Sequence, residues 1–411
     1  MRFVYSLSIY GYQFLIFIVS QFNKKAQLWR NGRRNWQQQL KDNIDNSKPL
    51  IWFHCASLGE FEQGKPVLEE LKSNFPNHFI LLTFFSPSGF EVKRNEPLAN
   101  FVCYLPIDTP SNAERFIAIT QPKIGVIVKY EFWFNILFEA KQAETKLFLI
   151  SGIFRKNQLF FKPFGTWFLR QLHLFEGLLV QNEESKKILI DAGIDKTKVA
   201  LTGDTRFDRV SNLINEKIDY PELSHWIGKR NVFVAGSTWP SDLQMLKTMW
   251  QEMKNQNWVF IIAPHDVNEQ TTHQTQLIFQ AMNYDELLAK PTAENPVLVL
   301  NRIGMLAQLY SFAKIAYIGG GFDKGIHNTL EAAVFGNAIF FGPRFQKFDE
   351  AKGLIKTGGA ISIQTSDELL TIIKQKEIWI AMGEKAARYV ANNVGAVNKT
   401  CHKIFPYLAP A

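Results

Sequence analysis

Residues 50–55 read LIWFHC, a continuous apolar run of a kind that recurs through the first half of the chain. The later runs are FILLTF (79–84), KIGVIV (123–128), KLFLIS (146–151) and GLLVQ (177–181). Such runs are typical of strands that are buried on both faces of a parallel sheet. Helix-like stretches separate them, for example at 65–74, 111–120 and 183–192. The alternation predicts βαβ units, and therefore an α/β domain with a parallel sheet.

A second series of the same kind begins at residue 231. Its apolar runs are NVFVAG (231–236), WVFIIA (258–263), PVLVL (296–300), KIAYIG (314–319), AIFFG (338–342) and GAISI (359–363). Segment 211–230, between the two series, is polar and lacks apolar periodicity, so we interpret it as a linker. The 411 residues are enough for two domains. We therefore predict Rossmann-like, doubly wound domains at 47–210 and 231–411, with a terminal helix at roughly 376–395 in the second.

Two doubly wound domains that face a cleft suit a ligand bound at the carboxyl ends of their strands. This is the GT-B architecture of many glycosyltransferases, but periplasmic solute-binding proteins and some dehydrogenases share it. The formal net charge of +8 fits an anionic partner, such as a membrane surface, a nucleic acid or a phosphorylated substrate. Charge alone does not choose among these, so the motifs must decide.

The N-terminus carries an apolar segment followed by a basic one. No residue from Phe3 to Asn23 is charged, and a helix needs about 20 such residues to cross a bilayer core. We expect residues 1–34 to be a membrane anchor with a basic flank that keeps the body on the cytoplasmic face. An interfacial helix, or a helix packed on the body, is the alternative to a span. The basic flank consists of Lys24, Lys25, Arg30, Arg33 and Arg34.

Cysteines and histidines give no sign of a disulfide framework or a metal site. Cys55, Cys103 and Cys401 are far apart and show no CxxC spacing. The eight histidines are scattered and contain no HxxxH pair. We therefore predict a reduced body without a metal ion or other cofactor.

Two glutamates follow buried strands in the first half. HCASLGE (54–60) places Glu60 at the carboxyl end of the first strand, where a carboxylate could take the proton of an attacking sugar hydroxyl. KYEFWFN (129–135) places Glu131 at the end of another strand, where it could bind acceptor hydroxyls or stabilise a cationic transition state. The alternative for each is a glutamate that caps or begins a helix.

An arginine follows a later strand of the same series, in GDTRFD (203–208). Arg206 would supply a fixed positive charge near the domain junction, and its paired N–H donors suit a phosphate or carboxylate. A surface ion pair is the alternative interpretation of this arginine.

The second half contains motifs that suit a nucleotide. AGST (235–238) places two hydroxyls and backbone amides at a strand-to-helix turn, and APHD (263–266) ends the next strand. RIGML (302–306) opens a helix-like stretch, and GGGFDKGIHNTLEAA (319–333) offers glycines for close backbone approach to a ligand. It is not a dinucleotide fingerprint, because Lys324 stands where a third glycine is needed.

The order of these motifs resembles the 3-deoxy-D-manno-octulosonic acid (Kdo) transferase family. Its pattern is S-x-G-E, E-x-W-x-N, G-x-x-(K/R)-F-D, A-G-S-T, A-P-(R)-H, I-G-(E)-L and G-x-H-N-x-L-E, and the resemblance covers nearly the whole chain. It implies a GT-B fold, a CMP-Kdo donor, a lipid A precursor (lipid IVA) as acceptor, inversion at the anomeric carbon and no metal. It also implies work at the cytoplasmic face of the inner membrane, with an anionic membrane surface and no nucleic acid as partner.

The resemblance also assigns roles to individual residues. It implies that Glu60 is the general base and that Glu131 and Arg206 stabilise the transition state. The implied contacts to CMP are Pro264, His265, Gly304, Met305, Leu306, Asn328, Thr329, Leu330 and Glu331, with Ser237 and Thr238 lining the same pocket. The chain departs from the family pattern at four points, which weaken the donor-site assignment more than the function: no arginine precedes His265, Met305 replaces a glutamate, Thr329 replaces a proline, and Arg206 replaces a lysine.

We therefore predict a glycosyltransferase that moves Kdo from CMP-Kdo to a lipid A precursor in lipopolysaccharide synthesis. A GT-B enzyme that uses a UDP-sugar is the nearer alternative. A non-enzymatic, exported solute-binding protein is the alternative from another class, and it would have no need of Glu60.

Overall fold

The computed structural model describes residues 1–216, 219–291 and 294–409, and it divides into two compact units. The first unit comprises Met1–Asp208 and Val394–Ala411, and the second comprises Arg209–Asn393. The predicted linker, 211–230, falls within the second unit and contains a helix at Pro221–Ile227. Two residues of the predicted linker, Lys217 and Ile218, lie outside the described residues. The predicted second domain also differs, because its last residues belong to the first unit.

The first unit is built on a parallel sheet of seven strands in the order β3-β2-β1-β4-β5-β6-β7. The strands are β1 (Leu50–Cys55), β2 (Phe79–Phe84), β3 (Phe101–Tyr104), β4 (Pro122–Val128), β5 (Lys146–Gly152), β6 (Gly177–Val180) and β7 (Val199–Leu201). The helices are α1 (Arg2–Val19), α2 (Lys24–Asn31), α3 (Trp36–Asn43), α4 (Leu58–Asn74), α5 (Pro87–Lys93), α6 (Pro110–Thr120), α7 (Phe134–Gln142), α8 (Thr166–Gln171), α9 (Glu183–Asp191) and α10 (Thr205–Leu213), which continues into the second unit. Short 3₁₀ turns occur at Leu159–Phe161, Leu172–Leu174 and Phe405–Tyr407.

The second unit repeats this plan, with strands in the order β10-β11-β9-β8-β12-β13-β14. The strands are β8 (Asn231–Thr238), β9 (Trp258–Pro264), β10 (Met282–Asn283), β11 (Val297–Val299), β12 (Ile315–Ile318), β13 (Ala338–Phe341) and β14 (Ala360–Ser362). The helices are α11 (Pro221–Ile227), α12 (Pro240–Met253), α13 (Glu269–Phe279), α14 (Tyr284–Ala289), α15 (Leu306–Leu309), α16 (Leu330–Ala333), α17 (Asp349–Thr357), α18 (Ser366–Ile373) and α19 (Lys376–Ala391). The predicted pair of doubly wound α/β domains is confirmed.

Most residues of the central strands are buried because helices cover both faces of each sheet. Every residue of β1, β2 and β9 is buried, as the continuous apolar runs predict. In the first unit, alternate residues of β1 point into two apolar clusters: Trp52 into one and Phe53 into the other. The strand order reverses between β1 and β4, and between β8 and β12, so each sheet has a switch point where ligands bind in this class of fold.

The predicted last helix, roughly 376–395, corresponds to α19 in the second unit. A further helix, α20 (Ala396–Ile404), belongs to the first unit, although the predicted second domain, 231–411, includes its residues. Its apolar side chains, Val397, Cys401 and Ile404, join the cluster that contains Phe53. The carboxylate of Asp208 accepts bonds from the N–H groups of Gly395 (2.8 Å) and Ala396 (3.0 Å), and so caps the helix. A return of the chain to the first core is a long-range event that local periodicity does not encode.

The apolar N-terminal segment forms α1, the one helix among the described residues that is long and apolar enough to cross a membrane. It docks on the first unit through a narrow polar face. The Tyr5 hydroxyl donates to Asp108 Oδ2 (2.6 Å), and Ser6 lies in a buried contact with Asn135. The opposite face is exposed and apolar, as at Phe3 and Phe14, which are 79% and 64% exposed.

The basic flank needs one correction, which concerns Arg33. Its guanidinium is buried and donates to the carbonyl oxygens of Leu105, Phe85 and Trp29, and burial lowers its pKa to about 9. Arg33 therefore ties the segment after α2 to the body and does not face an anionic surface. The other four basic residues of the flank, Lys24, Lys25, Arg30 and Arg34, are exposed or half-exposed.

Asp108 is the main anchor of α1, and its replacement tests this docking. We expect Asp108→Ala to lower the free energy of unfolding by about 3 kcal/mol, because it strands three donors: the Tyr5 hydroxyl and the N–H groups of Asn135 and Ile136. Glu139→Gln, which breaks the part-exposed Arg2–Glu139 ion pair, is the control and should cost less than about 1 kcal/mol. Denaturant titration measures both, and equal effects would contradict this account.

Candidate active site

The two glutamates of the first unit follow the strands on either side of its switch point. Glu60 lies in the first turn of α4, after β1, and Glu131 lies in the loop after β4. Because β1 and β4 are neighbouring parallel strands, both residues lie at the same edge of the sheet. The charge of Glu131 acts on Glu60, so the structure brings the two carboxylates together.

Glu60 is a helix cap as well as a candidate base. Its Oε2 accepts bonds from the N–H groups of Ala56 (2.7 Å) and Ser57 (3.1 Å), and it forms a capping box with Ser57. The capping interpretation is therefore correct, but both backbone N–H groups bond the same carboxylate oxygen, Oε2. Capping fixes the orientation of the carboxylate without requiring Oε1.

The surroundings of Glu60 give it a pKa suited to proton transfer. Burial is the largest cause and the charge of Glu131 is the second, and together they raise the pKa of Glu60 to about 7. The backbone N–H groups and the nearby Lys129 act in the opposite direction. A carboxylate with a pKa near 7 is a much better general base than an ordinary surface glutamate.

Glu131 is half-buried and held by aromatic neighbours. Its Oε2 accepts a bond from Trp133 Nε1 (2.9 Å), and His54 Nε2 lies 3.9 Å from the same oxygen. Trp133 in turn stacks on Phe85, with ring centroids 4.2 Å apart. The loop that carries Glu131 starts at Lys129 with a φ of 62°, which turns the chain sharply out of β4.

Asn135, the last residue of the same motif, has a structural role. It is fully buried, and its side-chain amide donates to the Asp108 carbonyl (2.6 Å) and to Ser6 (3.2 Å). Its own N–H is bonded to the Asp108 carboxylate. The motif therefore places Glu131 at the edge of the sheet and uses Asn135 to fasten the following helix to α1.

Arg206 forms the ion pair that the sequence analysis named as its alternative. Its guanidinium contacts the Asp204 carboxylate through two nitrogens, with Nη2 2.7 Å from Oδ2. Asp204 also accepts a bond from Gln63 Nε2 (2.9 Å), one turn beyond Glu60 in α4. The pair fixes the guanidinium beside α4, but it also offsets part of the charge that Arg206 could offer a substrate.

In the second unit, the ends of β8 and β9 bring several of the predicted nucleotide contacts together. The N–H of His265 donates to the Thr238 carbonyl (3.0 Å), so Pro264 and His265 lie beside Ser237 and Thr238. Ser237 has a φ of 53°, which bends the chain at the end of β8. Leu306 joins this group, because it packs with Tyr310 against Gly236.

An aromatic stack covers this edge, and His265 is the one member of it that was a predicted contact. The rings of Trp239 and His265 stack at 4.6 Å, and those of His265 and His327 stack at 4.4 Å. Trp239 Nε1 donates to His327 Nε2 (3.1 Å), and Lys324 Nζ lies 4.4 Å from the Trp239 ring. Burial, and then the charge of His265, lower the pKa of His327 to about 4, so His327 is neutral at pH 7. The sequence feature that could have indicated this stack is Trp239, which stands directly after AGST.

The glycines at 319–321 have a different role from the one expected. A Cβ on Gly319 would lie 2.3 Å from the Ser237 carbonyl oxygen, and one on Gly321 would lie 2.5 Å from the N of Gly342. The glycines therefore let backbone segments of the protein pack against one another. Buried Asp242 holds the same loop, accepting bonds from the N–H groups of Trp239 (2.7 Å) and Gly320 (2.9 Å).

The predicted contacts at 328–331 differ in how far their side chains are available to a ligand. Asn328 Nδ2 donates to Glu331 Oε1 (2.8 Å), and Asn328 Oδ1 accepts from the N–H of Leu330. The side chains of Thr329 and Leu330 are fully buried, so only their backbone could meet a ligand. The α16 helix begins at Leu330, directly after Asn328 and Thr329.

The segment 304–306 precedes a short helix, α15. Gly304 has a φ of 91°, so the left-handed turn there suits glycine. Met305, which stands where the family has a glutamate, is buried. Within the described ranges, no group of three or more His, Cys, Asp or Glu side chains could hold a metal ion.

Comparison with known proteins supports the resemblance. Residues 32–209 match the family model described as 3-deoxy-D-manno-octulosonic-acid transferase (kdotransferase). A Rickettsia typhi protein named 3-deoxy-D-manno-octulosonic acid transferase is 27% identical, over 93% of this chain and 86% of its own length. A protein of the same name from Chlamydophila psittaci is 26% identical, over 85% of this chain and 82% of its own length.

Solved structures support the GT-B type of fold. The UDP-GlcNAc 2-epimerase of Neisseria meningitidis, solved with UDP-GlcNAc, aligns with a TM-score of 0.63. The alignment covers 87% of this chain and 100% of the epimerase, at 16% sequence identity. At this identity the likeness shows the fold alone.

The packing of the glycine loop gives a stability test. We expect Gly319→Ala to destabilise the protein by about 1–3 kcal/mol, because its Cβ overlaps the Ser237 carbonyl and forces the backbone apart. Gly59→Ala is the control: a Cβ there meets nothing within 4 Å, and alanine favours a helix over glycine by about 0.5–1 kcal/mol. Denaturant unfolding compares the two, and a Gly319→Ala variant as stable as the wild type would contradict this packing.

Proposed function

Because the chain is a glycosyltransferase of the Kdo transferase family, with the family's domain at residues 32–209, we propose that it transfers Kdo from CMP-Kdo to a lipid A precursor. The observation that supports this most strongly is the environment of Glu60. It is a half-buried carboxylate with a pKa near 7, it follows the central strand, and it occupies the family's S-x-G-E position. A hydroxyl acceptor needs such a base.

In the proposed reaction, Glu60 removes the proton of an acceptor hydroxyl as its oxygen attacks the anomeric carbon of Kdo. A new glycosidic C–O bond forms while the bond to the CMP phosphate breaks, and CMP leaves as a phosphate monoester. One displacement inverts the anomeric carbon. The proposed reaction needs no metal ion, because protein groups stabilise the charges that develop.

Glu131 and Arg206 are the proposed partners of Glu60. The negative charge of Glu131 favours the positive charge that develops on the sugar ring as the leaving group departs. It also raises the pKa of Glu60. Arg206 would face the departing phosphate, in a position fixed by Asp204 and by the hydrogen bond from Gln63. We expect Arg206 to contribute less than an isolated cation would, because Asp204 is already paired with it.

We propose that the second unit holds the CMP part of the donor. The turn at Ser237 and Thr238 and the edge of the Trp239–His265–His327 stack form a surface for it, with Lys324 supplying a cation for a phosphate. Pro264, Gly304, Met305, Leu306 and Asn328–Glu331 are the other proposed contacts. Thr329 and Leu330 would act through their backbone, because their side chains are buried.

We propose that α1 attaches the protein to the cytoplasmic face of the inner membrane. The apolar outer face of α1 and the cations Lys24, Lys25 and Arg34 suit an anionic bilayer surface. Tyr5 and Ser6 fasten the other face of α1 to the body, which favours a helix that lies along the membrane surface over one that crosses it.

The direct test is transfer itself. Incubation with CMP-Kdo and a lipid A precursor should add Kdo to the lipid, as measured by mass spectrometry. Glu60→Gln should lower kcat by about 10²–10⁴-fold, because it removes the base. Glutamine can still cap α4, so folding should stay intact and circular dichroism is the control. Transfer at a normal rate by a folded Glu60→Gln protein would exclude this base, and transfer from a UDP-sugar alone would exclude the donor.

The interaction between the two carboxylates gives a pH test. The rate should rise with pH as Glu60 loses its proton, with a midpoint near its pKa of about 7. Glu131→Gln removes the charge that raises this pKa, so the acidic limb of the kcat/KM profile, which reports the free enzyme, should move to lower pH while the maximal rate falls. A limb that stays in place, or moves to higher pH, would contradict the coupling.

A further inference from the structure

A buried histidine, His54, lies beside Glu131. His54 is fully buried in β1, and its Nδ1 lies 2.8 Å from the hydroxyl and 3.1 Å from the carbonyl oxygen of Thr83 in β2. Its Nε2 is also buried and has no hydrogen-bond partner among the described residues. That atom lies 3.9 Å from Glu131 Oε2. A buried, unpartnered ring nitrogen beside a carboxylate calls for an explanation.

The neighbours of His54 decide which ring nitrogen carries the proton. Trp52 Nε1 can only donate, and it donates to the Thr83 hydroxyl oxygen (2.8 Å). The Thr83 hydroxyl keeps its own hydrogen to give, and His54 Nδ1 lies within bonding distance. If Nδ1 accepts that hydrogen, the proton of the neutral ring is on Nε2 and points to the carboxylate.

The other tautomer is less favourable. A proton on Nδ1 could reach the Thr83 carbonyl, but Nε2 would then present a bare lone pair to the negative Glu131. It would also leave the Thr83 hydroxyl hydrogen without this acceptor. Both effects would occur in a site from which water is excluded, where unmatched polar groups cost the most.

We propose that His54 is a positioning residue for Glu131: a neutral ring whose Nε2–H, set by the Trp52–Thr83 pair, is directed at Glu131 Oε2. The proposal rests on the proposed role of Glu131 in transfer. The separation of 3.9 Å exceeds a hydrogen bond, so a shift of about 1 Å would close it, as happens in many sites when substrate binds. Together with Trp133 Nε1, which already donates to this oxygen, the ring fixes how the carboxylate faces the substrate.

The consequence extends to the base. The charge of Glu131 acts on Glu60, so a ring that orients the Glu131 carboxylate also helps to maintain the environment of Glu60. The groups that face this region are Trp52 on the same strand, Thr83 on the neighbouring strand, Glu60 in α4, and Lys129 and Glu131 in the loop after β4. The neutral His54 ring thus connects the buried Trp52–Thr83 hydrogen bond to the carboxylates of Glu131 and Glu60.

The test combines a spectroscopic measurement with kinetics. In protein labelled with ¹⁵N-histidine, the His54 ring signals, assigned by their loss in His54→Phe, should show a protonated Nε2 and an unprotonated, hydrogen-bonded Nδ1. His54→Phe should lower kcat by about 10–100-fold with little change in KM, as expected when a group orienting the reacting site is lost. The acidic limb of the pH–rate profile of His54→Phe should also shift.

Thr83 variants separate the tautomer from the mere presence of the ring. Thr83→Val removes the hydroxyl, frees Nδ1 to bond the carbonyl, and should reduce kcat although His54 remains. Thr83→Ser restores the hydroxyl and should recover most of the rate. Thr145→Val, which deletes a buried hydroxyl bonded to the Pro122 carbonyl (2.8 Å) at the other end of the sheet, is the control for lost stability and should keep kcat.

The outcomes divide cleanly. A proton on Nδ1 in the wild type, or an unchanged kcat and pH profile in a folded His54→Phe protein, overturns the proposal. If the wild type transfers no Kdo, the proposed function fails, and the ring signals alone then decide whether Nε2–H faces Glu131.

Discussion

The cost of burying carboxylates at the edge of the first sheet governs the rest of this site. Glu60 is removed from water by the end of β1 and α4, and a second negative charge, Glu131, lies close enough to add to that cost. Two backbone N–H groups offset part of it. The balance leaves a carboxylate that changes its protonation near neutral pH, which is the property a general base for a sugar hydroxyl needs.

The polar groups around the pair are held by the body of the first unit. Glu131 is bonded to Trp133, whose ring rests on Phe85, and Asn135 of the same segment fastens α7 to Asp108 and α1. Helix α1 and the loop with the second carboxylate therefore share one packed region. Burial raises the pKa of Asp108 to about 7, so this anchor also carries an electrostatic cost that its three donors offset in part.

In the second unit, backbone segments pack closely at the switch point of the sheet. Its switch point requires the ends of β8 and β12 and the loop after β12 to approach within van der Waals distance, and this is why Gly319 has no room for a side chain. Asp242 collects the N–H groups that this approach would otherwise leave unpaired. The same edge carries the stack of Trp239, His265 and His327, in which His327 stays neutral at pH 7.

The sequence alone determined two parallel-sheet domains and the order of the motifs, because buried strands and strand-end glutamates are written in local composition. It also placed Glu60 and Glu131 at one sheet edge. Tertiary structure alone decided that α20 returns to the first core, that Arg33 is buried, that Gln63 of α4 bonds Asp204 beside Arg206, and that Trp239 and His327 stack with His265. These depend on contacts between residues far apart in the chain, whose burial and partners no local pattern specifies.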